Sequence, residues 1–277
     1  MTTGQKNPLG DIGQLALVGA GKMGGAMLQG WLDLGLAAGN VVALEPQPSD
    51  ELTALAQRGL VLNPVLRAAG KFSVVVLAVK PQVAPEVLAG VTKMVGEGTL
   101  VMSIMAGRTL AFLEKQMPNA AIVRAMPNTP AAIGRGITVA VANPKVTAKQ
   151  REIAHKLLAA TGSVEWIDDE NLMDAVTAVS GSGPAYVFLL VEALAQAGVA
   201  AGLPEALAAK LARETVAGSG ELLHRSPLDP AILRKNVTSP GGTTAAALEV
   251  LLGRGGLDSL LRQAVVAATK RSRDLAG

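Results

Sequence analysis

The chain has 277 residues, a formal net charge of +3 and no cysteine. Without thiols it can hold no disulfide, thiolate nucleophile, iron–sulfur cluster or cysteine-based zinc site, which suits a cytoplasmic protein. Hydrophobic residues make up 49% of the chain but aromatics only 2%, so its core must be close-packed Ala, Val, Leu, Ile and Met.

Residues 1–11 are polar and lack the apolar centre of a secretory signal, so they read as a loose tail. Strand-like runs follow at 15–18, 41–44, 74–79, 99–104, 121–125, 137–141 and 164–167. The early ones are continuous and β-branched, as expected of parallel strands covered on both faces by helices. Between the first two, Met23, Ala26, Met27, Gly30, Trp31 and Leu34 recur at helical spacing, and Gly35 supplies a stop. Thr147 followed by Gln150 has the form of a capping box opening a helix through Leu158. Alternation of this kind predicts an α/β, doubly wound domain over 12–168.

From 169 to 277 the character changes to Ala- and Leu-rich helical segments, broken at 180–184, 202–204, 226–230 and 239–242. This predicts a second, all-helical domain. Its apolar run 185–203 carries Glu192 and Gln196 and reads as a buried helix rather than a membrane span. Lys270, Arg271 and Arg273 close the last predicted helix, where cations complement the helix dipole; no nucleic-acid partner is expected. His155 and His224 have no metal-ligand spacing, so no metal site is expected.

Gly19, Gly21 and Gly24 form G-x-G-x-x-G directly after a strand and at the mouth of a helix. In that setting the first glycine allows the tight turn, the second lets backbone approach a pyrophosphate, and the third permits close helix–strand packing. The intervening Ala20, Lys22 and Met23 complete the loop, a Rossmann-type dinucleotide site. Glu45 closes the second strand, where an acid binds the adenosine ribose. A carboxylate there favours a free 2′-hydroxyl, pointing to NADH. Further strand ends carry Ala78, Val79, Lys80 and Pro81, then Ala106 and Gly107, then Asn128. In a parallel sheet these carboxyl-end loops line one edge, beside the cofactor.

VGAGKMG, LAVKP, MPNTP, SGSGPAY and SPGGTT stand in the order and spacing of the pyrroline-5-carboxylate reductases, and the chain resembles that family from about Leu15 to Leu275. The resemblance implies NAD(P)H-dependent reduction of the C=N bond of 1-pyrroline-5-carboxylate to L-proline, the last step of proline biosynthesis. It also implies a homodimer, or a higher homo-oligomer of dimers, built through the helical domain, with a substrate pocket at the dimer interface. Ser239, Gly241, Gly242, Thr243 and Thr244 suit a cradle for the substrate carboxylate, because glycines expose N–H groups and a helix starts there. The resemblance puts Thr244 near the imine nitrogen, as the catalytic polar partner. Ser180 opens the other loop placed at the substrate, and Tyr186 reads as structural.

Two residues depart from the family pattern. Met105 stands where the family commonly has alanine, and Glu45 stands where many members carry small polar residues and use NADPH. Either NADPH or NADH therefore fits the resemblance. Rival readings fare worse. Short-chain dehydrogenases need Tyr-x-x-x-Lys, but Leu190 follows Tyr186 at that spacing, and no lysine lies near Val187 for a hydroxyacid dehydrogenase. A reductase of another cyclic imino acid remains the nearest enzymatic rival. A non-catalytic NAD(P)H sensor would have no use for the SGSG and SPGG loops.

Overall fold

The computed structural model describes residues 9–10, 12–64 and 72–276. They form two compact units, one up to Gly181 together with the residues from Thr269 onward, the other Ser182–Ala268.

Among the described residues the first unit holds an eight-stranded sheet. Its strands are Leu15–Val18 (β1), Val41–Leu44 (β2), Val61–Leu62 (β3), Val74–Leu77 (β4), Leu100–Ser103 (β5), Ala121–Met126 (β6), Gly136–Ala142 (β7) and Gly162–Trp166 (β8). The spatial order is β3-β2-β1-β4-β5-β6-β7-β8. Pairings from β3 to β6 are parallel, and β8 is parallel to β7, but β7 runs antiparallel to β6. The early strands are parallel, as their continuous apolar runs lead one to expect, and the β6–β7 ladder is the antiparallel one. Residues 127–135 between β6 and β7 form a 3-10 turn, Thr129–Ile133, ended by Gly134 at φ 68°. A parallel crossover needs about a dozen residues or more, so this link can only reverse the chain.

The helices of this unit are Lys22–Asp33 (α1), Asp50–Gln57 (α2), Ala84–Val91 (α3), Leu110–Gln116 (α4), Ala148–Ala159 (α5) and the short Met173–Val176 (α6). Successive strand residues serve opposite faces. Leu15, Leu17, Val74 and Val76 join Met27, Trp31 and Leu157 in one core, while Ala16, Val18, Val75 and Leu77 join Leu88 and Leu113 in the other. Burial on both faces explains why these strands read as unbroken apolar runs. Trp31 is fully buried, and its indole N–H donates to the Leu157 carbonyl at 2.8 Å, tying α1 to α5. The expected capping box is present. Gln150 N–H donates to Thr147 Oγ1 at 3.3 Å, and Thr147 N–H donates to Gln150 Oε1 at 3.0 Å.

Of the tail expected over 1–11, residues 1–8 and 11 lie outside the described residues. Leu9 is fully buried in the α1-side core, so at that position the chain is anchored. The sheet-bearing unit also reaches beyond 168, because Met173 is buried against Val139 and Val141 of β7. A π-helical turn, Thr177–Gly181, then carries the chain onward, so the break expected at 180–184 is a change of helical pitch and not a loop. The end of the chain returns to this unit: Ser272 Oγ donates to Asp174 Oδ1 at 2.7 Å, and Arg273 lies 3.7 Å from the same carboxylate.

The second unit is helical, with Gly183–Ala200 (α7), Glu205–Arg225 (α8), Pro230–Asn236 (α9), Thr243–Leu252 (α10) and most of Leu257–Ala276 (α11). Small residues let α7 and α8 approach closely. A Cβ on Gly198 would lie 3.1 Å from that of Ala208, and Ala208 and Ala212 are buried. Within the single chain the run 185–203 is not the buried helix expected from its composition: Phe188 and Leu189 are each 62% exposed. The continuous helical stretch Glu170–Ala200 is long and apolar enough to cross a membrane by length and composition alone.

Candidate functional site: the dinucleotide groove and the glycine turn of α10

β1 and β4 adjoin while β2 and β3 lie outward of β1, so the strand order reverses between β1 and β4. Ligands of open α/β sheets bind beyond the carboxyl ends of strands at such a reversal. A groove of about 690 Å³ lies there, lined by Gly19, Gly21, Glu45, Asn63, Val79 and Lys80 among others. A second depression, about 560 Å³, continues past Gly21 and Lys22 to Gln47 and Glu51. Ala78, Val79, Lys80 and the glycine loop are thus brought together as the sequence predicts.

The three glycines differ in what surrounds them. Gly19 has φ 90° and sits so close to β4 that a Cβ would lie 2.8 Å from the Ala78 carbonyl. A Cβ on Gly24 would meet the Gly19 carbonyl oxygen at 2.2 Å, so that position is closed by the protein itself. A Cβ on Gly21 would meet nothing within 4 Å. Gly21 caps α1 without a side-chain hydrogen bond, and no acidic residue occupies the first turn. Open space, unclaimed N–H groups and a positive helix end together fit a phosphate.

Glu45 is held more firmly than the sequence suggests. Its Oε2 accepts from the Ala20 N–H at 2.8 Å and its Oε1 from the Gln47 N–H at 3.1 Å. The Ala20 amide is therefore committed to Glu45, while Lys22 and Met23 stand in the open first turn of α1. Asn63, to which no sequence motif points, clamps the Glu45 backbone. Glu45 N–H donates to Asn63 Oδ1, and Asn63 Nδ2 donates to the Glu45 carbonyl, both at 2.8 Å.

The remaining loops lie at the ends of β4, β5 and β6. Arg108 donates through Nε and Nη2 to the Pro81 carbonyl at 3.2 and 2.8 Å, and its guanidinium lies 4.6 Å from the centre of the Phe112 ring. It ties the β4 loop to the β5 loop. Gly107 turns there at φ 71°, with Ala106 exposed and Met105 buried. Asn128 Oδ1 accepts from Ile137 N–H at 2.9 Å, so that oxygen shapes the turn into β7. The Met126 methyl group would lie 2.7 Å from a Cβ on Gly181, so Gly181 is needed for packing. Ser180 Oγ donates to the Val176 carbonyl at 2.9 Å, which leaves its lone pairs as acceptors.

A partly buried ion pair gave no clear signal in the sequence either. Arg124, 4% exposed, meets Glu170 Oε1 at 2.6 Å, and the same oxygen accepts from Leu110 N–H at 2.8 Å. Its one visible signal is a charged residue inside the otherwise apolar β6.

In the helical unit Gly242, not a threonine, caps α10, with no side-chain cap; Thr243 and Thr244 fill the first turn. Gly241 turns at φ 68° and Gly242 N–H donates to the Ser239 carbonyl at 3.1 Å. The Ser239 hydroxyl would lie 2.4 Å from a Cβ on Gly242. The five residues expected at the substrate thus form one compact turn at a helix start.

Two family models match the chain: NADP oxidoreductase coenzyme F420-dependent over residues 14–107, and pyrroline-5-carboxylate reductase dimerisation over residues 170–275. The pyrroline-5-carboxylate reductase of Pseudomonas aeruginosa is 38% identical across 95% of this chain and 97% of that one. This chain belongs to the pyrroline-5-carboxylate reductase family. The Synechocystis enzyme of the same name is 50% identical over 75% of this chain and 77% of its own. Among solved structures, the pyrroline-5-carboxylate reductase of Coxiella burnetii superposes with a TM-score of 0.88 at 33% identity, covering 96% of this chain and all of that one. A Plasmodium falciparum pyrroline carboxylate reductase, solved with NADP bound, gives 0.79 at 30% identity over 95% and 98% of the two chains. Family membership also explains the uncovered apolar faces: the matched dimerisation region includes all of α7–α10, and the chain is a homo-oligomer.

Proposed function

We propose that the chain is an NAD(P)H-dependent oxidoreductase that reduces 1-pyrroline-5-carboxylate to L-proline, closing proline biosynthesis. The observation that carries this reading is the end-to-end family match, which spans the dinucleotide groove and the SPGGTT turn together.

A reduced nicotinamide dinucleotide, when bound, supplies the hydride. Gly21, Lys22 and Met23 would hold its pyrophosphate in the loop that Gly19, Ala20 and Gly24 shape, and Glu45 would hold its adenosine ribose. Ala78, Val79, Lys80, Pro81, Ala106, Gly107 and Asn128 line the strand ends towards the nicotinamide. Ser239, Gly241, Gly242, Thr243 and Thr244 would receive the substrate carboxylate on the N–H groups of the first turn of α10. The Thr244 hydroxyl would hydrogen-bond the ring nitrogen, with Ser180 as a further acceptor at the substrate. A protonated imine is already electrophilic, so these groups need only orient it and exclude water. The active species is a homodimer, or an assembly of dimers, in the cytoplasm; it binds neither nucleic acid nor membrane.

The test is absorbance at 340 nm with purified protein, pyrroline-5-carboxylate and each reduced cofactor in turn. Cofactor oxidation with stoichiometric proline is expected. Tight cofactor binding without oxidation would overturn the reading. Thr244→Val should lower kcat by about tenfold to a hundredfold, the scale of losing one polar partner at the reacting centre. Wild-type turnover in that variant would remove Thr244 from the mechanism.

A further inference from the structure

Asn63 is the only non-glycine residue with positive φ among the described residues, at 46°. Asparagine is among the few residues that tolerate this region, and such strain persists only where the surroundings enforce it. The surroundings here are the end of the β2–β3 ladder. The parallel register pairs Val42 with Val61 and Ala43 with Leu62, and Asn63 N–H continues it by donating to the Ala43 carbonyl at 2.8 Å. From that point the left-handed turn brings the Asn63 side chain back along β2. Its amide then imitates one more rung, with both Glu45 backbone groups bonded at 2.8 Å. Glu45 is thereby fixed one residue past β2, and its carboxylate spans the Ala20 and Gln47 amides at the lip of the groove.

We propose that Asn63 is a positioning residue which, by clamping the backbone of Glu45, fixes a carboxylate at the adenosine ribose and makes this chain prefer NADH to NADPH. The inference rests on the dinucleotide reading of the groove. Each Glu45 oxygen uses one lone pair on a backbone N–H and keeps another for a ribose hydroxyl. A 2′-phosphate would bring up to two negative charges against that carboxylate, which cannot swing away while both its oxygens and its backbone are tied. Among the described residues, the charged groups lining the two depressions are Lys22, Glu45, Glu51, Lys80 and Glu86. Lys22 belongs to the phosphate loop and Lys80 to the end of β4, so Glu45 is the charge placed at the β2 end. The Plasmodium falciparum relative, solved with NADP, shows that the family fold admits the phosphorylated cofactor. On this proposal the preference lies in side chains at this edge.

Calorimetric titration of the purified full-length protein with NADH and with NADPH, without substrate, reads the preference independently of turnover. A Kd at least about tenfold lower for NADH is expected. Glu45→Ser should bring the two constants together or reverse them. Asn63→Gly keeps the backbone conformation and deletes the clamp, so it should narrow the ratio by at least about threefold. A purely structural role would weaken both cofactors alike and leave the ratio unchanged. Equal or reversed constants in the wild type, or an unchanged ratio in either variant, would overturn the proposal. A protein that discriminates as expected yet never reduces pyrroline-5-carboxylate would keep this inference and sink the proposed reaction.

Discussion

In the sheet-bearing unit every side chain of β1 and β4 is sealed within the chain's own core, whereas in Ser182–Ala268 only Ala208 and Ala212 reach full burial. Both regions are rich in Leu, Val and Ala. The difference is where the covering surface comes from. A sheet with helices on both faces closes its core inside one chain. The helical unit leaves Phe188, Leu189 and Val250 uncovered, and single chains rarely expose apolar surface on this scale without a partner. Hydrophobic composition therefore predicts burial without saying which chain provides it.

The sharpest way to break that comparison is to charge the exposed face. Phe188→Asp with Leu189→Asp should remove more than about 3 kcal/mol of association free energy, the scale of burying unpaired charges. Light scattering should then show a smaller species that still binds cofactor, because the groove is built by the other unit. An unchanged mass would show that this face of α7 lies outside the interface. Next in size is the sheet-bearing unit's internal ion pair. Glu170→Ala would strand the buried Arg124 and the Leu110 N–H, costing about 2–3 kcal/mol in urea unfolding. Glu170→Gln, whose amide oxygen can still accept both bonds but carries no charge, should recover part of it.

The glycine loop allows a finer cut. Gly24→Ala forces a methyl against the Gly19 carbonyl and should cost about 2 kcal/mol, with cofactor binding damaged as well. Gly21→Ala meets open space and should leave the melting temperature within about 2 °C while weakening cofactor binding. Equal stability losses in the two would contradict their different surroundings. Smallest of all, Thr147→Ala removes half of a capping box and should cost about 1 kcal/mol by thermal unfolding, with kinetics unchanged.

Much of the site was legible in the chain because its chemistry is local. The glycine fingerprint, the strand before it and the helix after it lie within a score of residues, so spacing alone reports their tasks. β1 and β2 likewise match the expected 15–18 and 41–44. β3 was invisible: two residues are too short for any periodicity to register. Asn63, Arg108 and Glu170 were missed for a related reason, since each acts on a partner 18 to 60 positions away. The limit between the units was read at 168 because the strand pattern ends there. Met173 moves it to Gly181 by packing onto β7, a contact no local signal announces.

By itself the sequence determined the doubly wound architecture, the dinucleotide loop, the family and the helical second half, because each is written in nearest-neighbour patterns of glycine, charge and apolar spacing. Tertiary structure alone decided which way β7 runs and how the Glu45 carboxylate is aimed. It also decided which glycine is closed by the protein and which is left open for a ligand. These depend on distances between segments remote in the chain, and hydrogen bonds and close contacts act through space whatever the sequence separation.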